Sequence, residues 1–175
     1  MESLKGRQIS ILIALIIALG LVIFHPLWET LYVNLLRGPT IRSEALEVMA
    51  PATWRSRVVE RGVIEMWLPC KSVFCTTPES SLRVYLEPNL VGRKEEWLLS
   101  AREHMSGRSG WVEDAQSAQT SLGEAVCLLS HGKNDSHYRE CLCMIVSGGI
   151  MAGFAGAERE LTTFHQILKS SRIHK

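Results

Sequence analysis

Glu124–Phe154, EAVCLLSHGKNDSHYRECLCMIVSGGIMAGF, reads as three successive antiparallel strands. Two apolar runs, Glu124 to His131 and His137 to Val146, flank Gly132-Lys133-Asn134-Asp135-Ser136, a strong turn composition. Gly148-Gly149 can then supply the positive φ angles of a tight hairpin into Ile150 to Phe154. A competing reading is a second membrane span. Cys141 to Ala157 carries no charge and contains Gly149-x3-Gly153 and Ala152-x3-Gly156, the small-residue spacing of packed membrane helices. Four glycines, a serine and the double-glycine turn favour the hairpin.

Working outward, Ala157 to Ser170 has a helical stripe of Leu161, Phe164 and Leu168 with Ile167 beside it. Glu158 and Glu160 in its first turn and Lys169 in its last suit the helix dipole. Arg93 to Met105 is a second helix, its stripe made by Trp97, Leu98, Ala101 and Met105. Between this helix and the strands, Trp111 to Thr120 reads as a polar strand at an edge or with one wet face. Ser81 to Glu87 alternates Leu82, Val84 and Leu86 against Arg83, Tyr85 and Glu87, the cleanest period-two run in the chain. Val58 to Leu68 makes two short strands about Arg61-Gly62, and Cys70 to Pro78 is a loop. Residues 40 to 50 read as a connection with weak helical character. The expected fold class is therefore α+β, one antiparallel β-sheet packed by two or three helices, over residues 45–175.

Ile9 to Phe24 has no charged residue. Sixteen helical residues span about 24 Å against a hydrocarbon core of about 30 Å, so the expected transmembrane signal anchor is extended to 9–28, ending on Trp28. Leu21 to Leu31 offers no small-residue cleavage site, which favours an uncleaved anchor. Lys5 and Arg7 precede the span, and the positive-inside rule puts residues 1–8 in the cytoplasm and the domain outside it, periplasmic or extracellular. In the segment 29–44, an amphipathic helix and linker, Leu31, Tyr32 and Leu35 follow Trp28 at i+3, i+4 and i+7. This face lies on the membrane surface or packs as a stalk on its own domain.

The net charge of +1, with both signs interspersed, offers no argument for nucleic acid. Five cysteines, Cys70, Cys75, Cys127, Cys141 and Cys143, fit an oxidising compartment. With a five-residue turn at 132–136, Cys127 lies opposite Cys141 and His131 opposite His137, close enough for a cross-strand disulfide. A two-residue turn puts Cys127 opposite Leu142, so buried unpaired thiols and a metal site stay open. Residues four apart on one strand are about 13 Å apart, too far for Cys127 and His131 to share one ion. Cys70 and Cys75 either close a small ring in their loop or stay unconnected. His25, His104, His165 and His174 are scattered and suit surface or satisfied helix positions better than ligand roles. The chain has no G-x-S-x-G elbow, phosphate loop or H-E-x-x-H. No catalytic, cofactor-binding or metal residues are therefore expected, and no cofactor.

Taken in order, a Pro-x-x-Trp stretch (Pro51 to Trp54), early strands, Ser81 to Glu87, the 93–105 helix, three strands and a closing helix ending in Phe164-His-Gln-Ile-Leu-Lys-Ser170 resemble the PsbP-type α/β domain over about residues 45 to 172. The resemblance implies a binding or accessory module, and no catalytic residues carry over. The expected function is a membrane-anchored, non-catalytic accessory or protein-binding module, its partners the lipid bilayer and another membrane or envelope protein. The competing expectation is a thiol/redox-active or metal-binding enzyme using Cys127, Cys141 and Cys143.

Overall fold

A computed structural model describes residues 2–23, 25–43, 46–60, 62–70, 77–108, 111–132 and 135–173. In chain order these form α1 (Glu2–Ile23), α2 (His25–Arg37), β1 (Thr40–Arg42), β2 (Leu46–Met49), β3 (Arg55–Glu60), β4 (Val63–Leu68), β5 (Ser80–Leu86), α3 (Lys94–Arg108), β6 (Trp111–Val112), β7 (Gln116–Thr120), β8 (Gly123–His131), β9 (Tyr138–Ile145), β10 (Ile150–Ala157), α4 (Leu161–Ser170) and β11 (Arg172–Ile173). The architecture is α+β with antiparallel pairing throughout.

The strands form two sheets where the sequence led us to expect one. Eight are ordered β3-β4-β5-β10-β9-β8-β6 with β7 also paired to β8, and β1-β2-β11 make a small second sheet. The second sheet corrects the weakly helical reading of residues 40–50: Leu46 and Val48 alternate into the core while Glu47 and Met49 turn away. In the large sheet, Cys141 to Ala157 is the β9–β10 hairpin, so the second-span alternative is ruled out. Its lack of charge has another cause. Cys141, Cys143, Ile145, Ile150, Ala152 and Phe154 face a core shared with Phe164, Ile167 and Leu168 of α4. Met144 and Met151 face the opposite core, shared with Trp97, Ala101 and Met105 of α3. Strands covered on both sides read as continuous apolar runs.

Smaller differences have local reasons. The expected strand over 111–120 is split into β6 and β7, both on β8, and the intervening Glu113 N–H donates to the Leu129 carbonyl instead. The closing helix begins at Leu161 rather than Ala157, because β10 stays paired with β9 through Ala157 and a 3-10 turn, Glu158–Glu160, follows. At the N-terminus, among the described residues, no single helix is long and apolar enough to cross a membrane. Ile9–Ile23 and Trp28–Arg37 meet that condition only as a pair bent by 65°. Proline at position 26 has no N–H to donate to the carbonyl of residue 22, which disfavours the expected continuous helix 9–28.

The hairpin between β9 and β10 depends on Gly149, whose φ of +60° is left-handed and whose carbonyl accepts from the Glu87 N–H at 2.7 Å. An added Cβ would lie 2.7 Å from the Glu87 oxygen. Gly149→Ala is expected to lower stability by about 1–2 kcal/mol from the backbone conformation, with a further loss from this clash, read as a shift of the urea midpoint; an unchanged midpoint contradicts this turn.

Candidate functional site

The membrane-interface residues expected from the sequence come together on one side of α2. Trp28, Leu31, Tyr32 and Leu35 are exposed, Leu35 by 83 %. They border an apolar groove of about 510 Å³ closed by Gly38, Pro39, Ala50 and Ala52. The other side of α2 is tied to the domain. The Asn34 side-chain amide donates to the carbonyls of Ala52 at 2.6 Å and Trp54 at 2.7 Å, just after the turn closed by the Trp54 N–H on the Pro51 carbonyl. Arg55 donates to the hydroxyl of buried Thr30 at 2.9 Å and pairs with Glu29. Of the two sequence readings of this helix, the packed stalk describes the side that carries Asn34 and Thr30, and the apolar side is left exposed.

Cys127, Cys141 and Cys143 lie elsewhere, on the α4-facing side of β8 and β9. Cys127 pairs with Cys143 in a disulfide, their Cα atoms 4.0 Å apart, and among the described residues Cys141 is the free thiol. This corrects the expected Cys127–Cys141 alignment: the strands stay paired one residue further, through Gly132 N–H to the Tyr138 carbonyl, so the pairing ends at Gly132 and Tyr138 rather than at His131 and His137. Moving the loop by one residue at both ends moves the partner of Cys127 by two, from Cys141 to Cys143, and His131 faces Arg139 rather than His137. His131 instead bonds Glu113 at 2.6 Å and lies against Trp111. Cys70 is disulfide-bonded, while Cys75, its expected partner, lies outside the described residues.

Cys141 is 2 % exposed with its sulfur 3.7 Å from that of Cys143. Burial, with a smaller push from Glu113, raises its thiol to about 12. A nucleophilic cysteine needs the opposite, a stabilised thiolate reachable from solvent. This environment disfavours the redox-enzyme reading. His165 of α4 brings a ring nitrogen within 4.8 Å of the sulfurs of Cys127 and Cys141, a neighbour that the spacing of the histidines did not suggest.

The sequence reading missed a third feature. Helix α3 packs over β8, β9 and β10 and leaves the β3–β5 part of that sheet face open. There Arg57, Glu65 and Arg83 stand side by side on three neighbouring strands, Glu65 accepting from Arg57 at 2.8 Å and from Arg83 at 3.0 Å. These two guanidinium groups hold the Glu65 carboxyl below its ordinary value, and Arg57 also lies 5.7 Å over Trp67. Gly153, Tyr85 and Met151 line an adjoining hollow of about 390 Å³. The symmetric placement of Arg57 and Glu65 about Arg61-Gly62 was the available signal.

No family model matches the chain, and no curated protein matches it. Solved structures do. A crystal structure from Bacteroides thetaiotaomicron matches with a TM-score of 0.51 at 10 % identity, over 74 % of this chain and 45 % of that one, so the present chain spans less than half of its length. The solution structure of cyanobacterial PsbP (CyanoP) from Synechocystis has a TM-score of 0.43 at 12 % identity, covering 74 % of this chain and 86 % of its own. A PsbP structure is thus among those that the chain resembles, and these likenesses are of fold alone.

The burial of Cys141 has a direct chemical readout. In the native full-length protein at pH 8, iodoacetamide is expected to leave Cys141 unmodified by mass spectrometry and to label it rapidly in guanidinium chloride; modification in the native state would contradict the burial and reopen thiol chemistry.

Proposed function

We propose that this chain is a membrane-anchored, non-catalytic accessory module that holds its α+β domain close against a bilayer and binds another membrane or envelope protein there. The observation that carries the reading is the two-sidedness of α2. Its polar side is hydrogen-bonded to the domain through Asn34, Thr30 and Glu29. Its apolar side continues from the exposed apolar residues of α1. The apolar residues exposed between Ile9 and Val22 and between Trp28 and Leu36 are costly in water and are relieved by lipid. Trp28 and Tyr32 suit the boundary between headgroups and acyl chains, where amphipathic rings are at home. With α2 fixed to the domain, insertion of that face sets the orientation of the whole sheet against the membrane, as a rigid mount would. The buried Cys141 thiol, the Cys127–Cys143 disulfide and the internally paired Arg57–Glu65–Arg83 ladder support a binding role over a catalytic one.

The full-length chain reconstituted in vesicles with brominated acyl chains should lose part of its tryptophan fluorescence relative to unbrominated vesicles, and Trp28→Phe should abolish that difference; vesicles that quench nothing would sink the membrane mount. Purified from its native membrane in mild detergent, the chain should carry a second membrane or envelope protein with it. Recovery alone, as a monomer, would remove the accessory role.

A further inference from the structure

Beneath α4 the sulfurs of Cys127 and Cys141 meet an imidazole nitrogen of His165, and the Cys143 sulfur adjoins both sulfurs. The sulfur of Cys141 is 3.7 Å from that of Cys143, which is bonded to Cys127. Nitrogen from His165 and the sulfurs of Cys127 and Cys141 all lie within 4.8 Å of one another. Three cysteines and one histidine are a common structural zinc set, and with Zn–S bonds of about 2.3 Å the edge of such a tetrahedron is about 3.8 Å. The Cys141–Cys143 spacing already has that length.

We infer that this cluster is a redox-gated metal site: in the reduced chain Cys127, Cys141, Cys143 and His165 bind one zinc ion, and the Cys127–Cys143 disulfide is the metal-free alternative. The geometry follows from the fold. Cys141 and Cys143 are two residues apart on β9 and so face the same side, and the register places Cys127 across from Cys143. Three donors thus come from one sheet face, while α4, held over it by Phe164, Ile167 and Leu168, lowers the fourth from above. His165 keeps contact with solvent at its outer edge, which gives an ion a way in. His131 and His137 take no part: His131 is engaged with Glu113, and His137 lies in the loop. The charged group nearest on the helix is Lys169, one turn beyond His165, and Glu113 is the carboxylate that acts on Cys141 from the sheet side.

The two states are linked by a balanced exchange. A dithiol reductant gives two electrons and two protons to the Cys127–Cys143 bond and leaves as its own disulfide. Zinc then displaces the three thiol protons and takes the free imidazole nitrogen. By linkage, zinc favours reduction and the disulfide expels zinc, so the same core position is held together by a covalent bond in an oxidising compartment and by a metal in a reducing one. This proposal does not draw on the membrane reading; with the domain outside the cytoplasm, the disulfide is the resting form and zinc binding follows reduction.

The test uses the full-length protein in detergent, reduced anaerobically with a phosphine and titrated with Co²⁺ as the spectroscopic probe. One equivalent should produce sulfur-to-cobalt charge-transfer absorption together with the intense visible bands of tetrahedral cobalt, both removed by Zn²⁺, and the oxidised protein should show neither. His165→Ala should weaken cobalt binding by at least about tenfold, the scale on which even an outer ligand partner acts, and His165→Cys should restore it with a stronger sulfur band. Circular dichroism in parallel covers loss of fold: a reduced chain that has unfolded should refold on adding Zn²⁺. A reduced chain that takes up no cobalt, folded or unfolded, overturns the proposal, as does cobalt binding that His165→Ala leaves unchanged.

Discussion

From Cys141 to Ala157 strands β9 and β10 are apolar on both faces, and a pair of strands of that kind is stable only when something covers each side. The rest of the domain answers that requirement. On one side α4 and the small β1-β2-β11 sheet close a core around Phe154, Phe164 and Trp54. On the other, α3 lays Trp97, Ala101 and Met105 over Met144 and Met151. Because α3 covers only part of its face, the far strands β3, β4 and β5 keep one side in water, and their residues there are Arg57, Glu65 and Arg83. The disulfide and the Cys141 thiol belong to the α4 side, where Cys141 is buried in the oxidised protein.

Where local pattern and tertiary demand agree, the fold was legible in the chain. Alternation in Ser81–Glu87, the turn compositions at 132–136 and 148–149 and the stripe of Leu161, Phe164 and Leu168 each report an element without reference to its neighbours. Register is different. A two-residue slip between β8 and β9 leaves every side chain on its proper face, so hydrophobic pattern cannot distinguish Cys127 opposite Cys141 from Cys127 opposite Cys143. The choice is made by Gly132, which continues the ladder for one more step. The short strands β1 and β11 were hidden for a related reason: two or three residues carry no period, and only the partner strand β2 defines them.

Of the candidate site, the apolar stripe of α2 was readable from spacing alone, because i, i+3, i+4 and i+7 describe one helical side whatever lies around it. That its opposite side grips the domain was not readable, since Asn34 reaches carbonyls at positions 52 and 54 and Arg55 reaches Thr30, contacts made only once the chain has returned. The approach of His165 to the sulfurs is of the same kind, being set by how α4 crosses the sheet rather than by any spacing in the chain.

In the proposed function α2 fixes the domain against the outer surface of a membrane, with the β9–β10 hairpin folded into that domain. Protease added to sealed cells that carry an epitope at the C-terminus puts this to the test most directly. The epitope is expected to be lost from intact cells while a short N-terminal fragment survives in the membrane. An epitope protected until the cells are opened would contradict both the orientation and the single anchor.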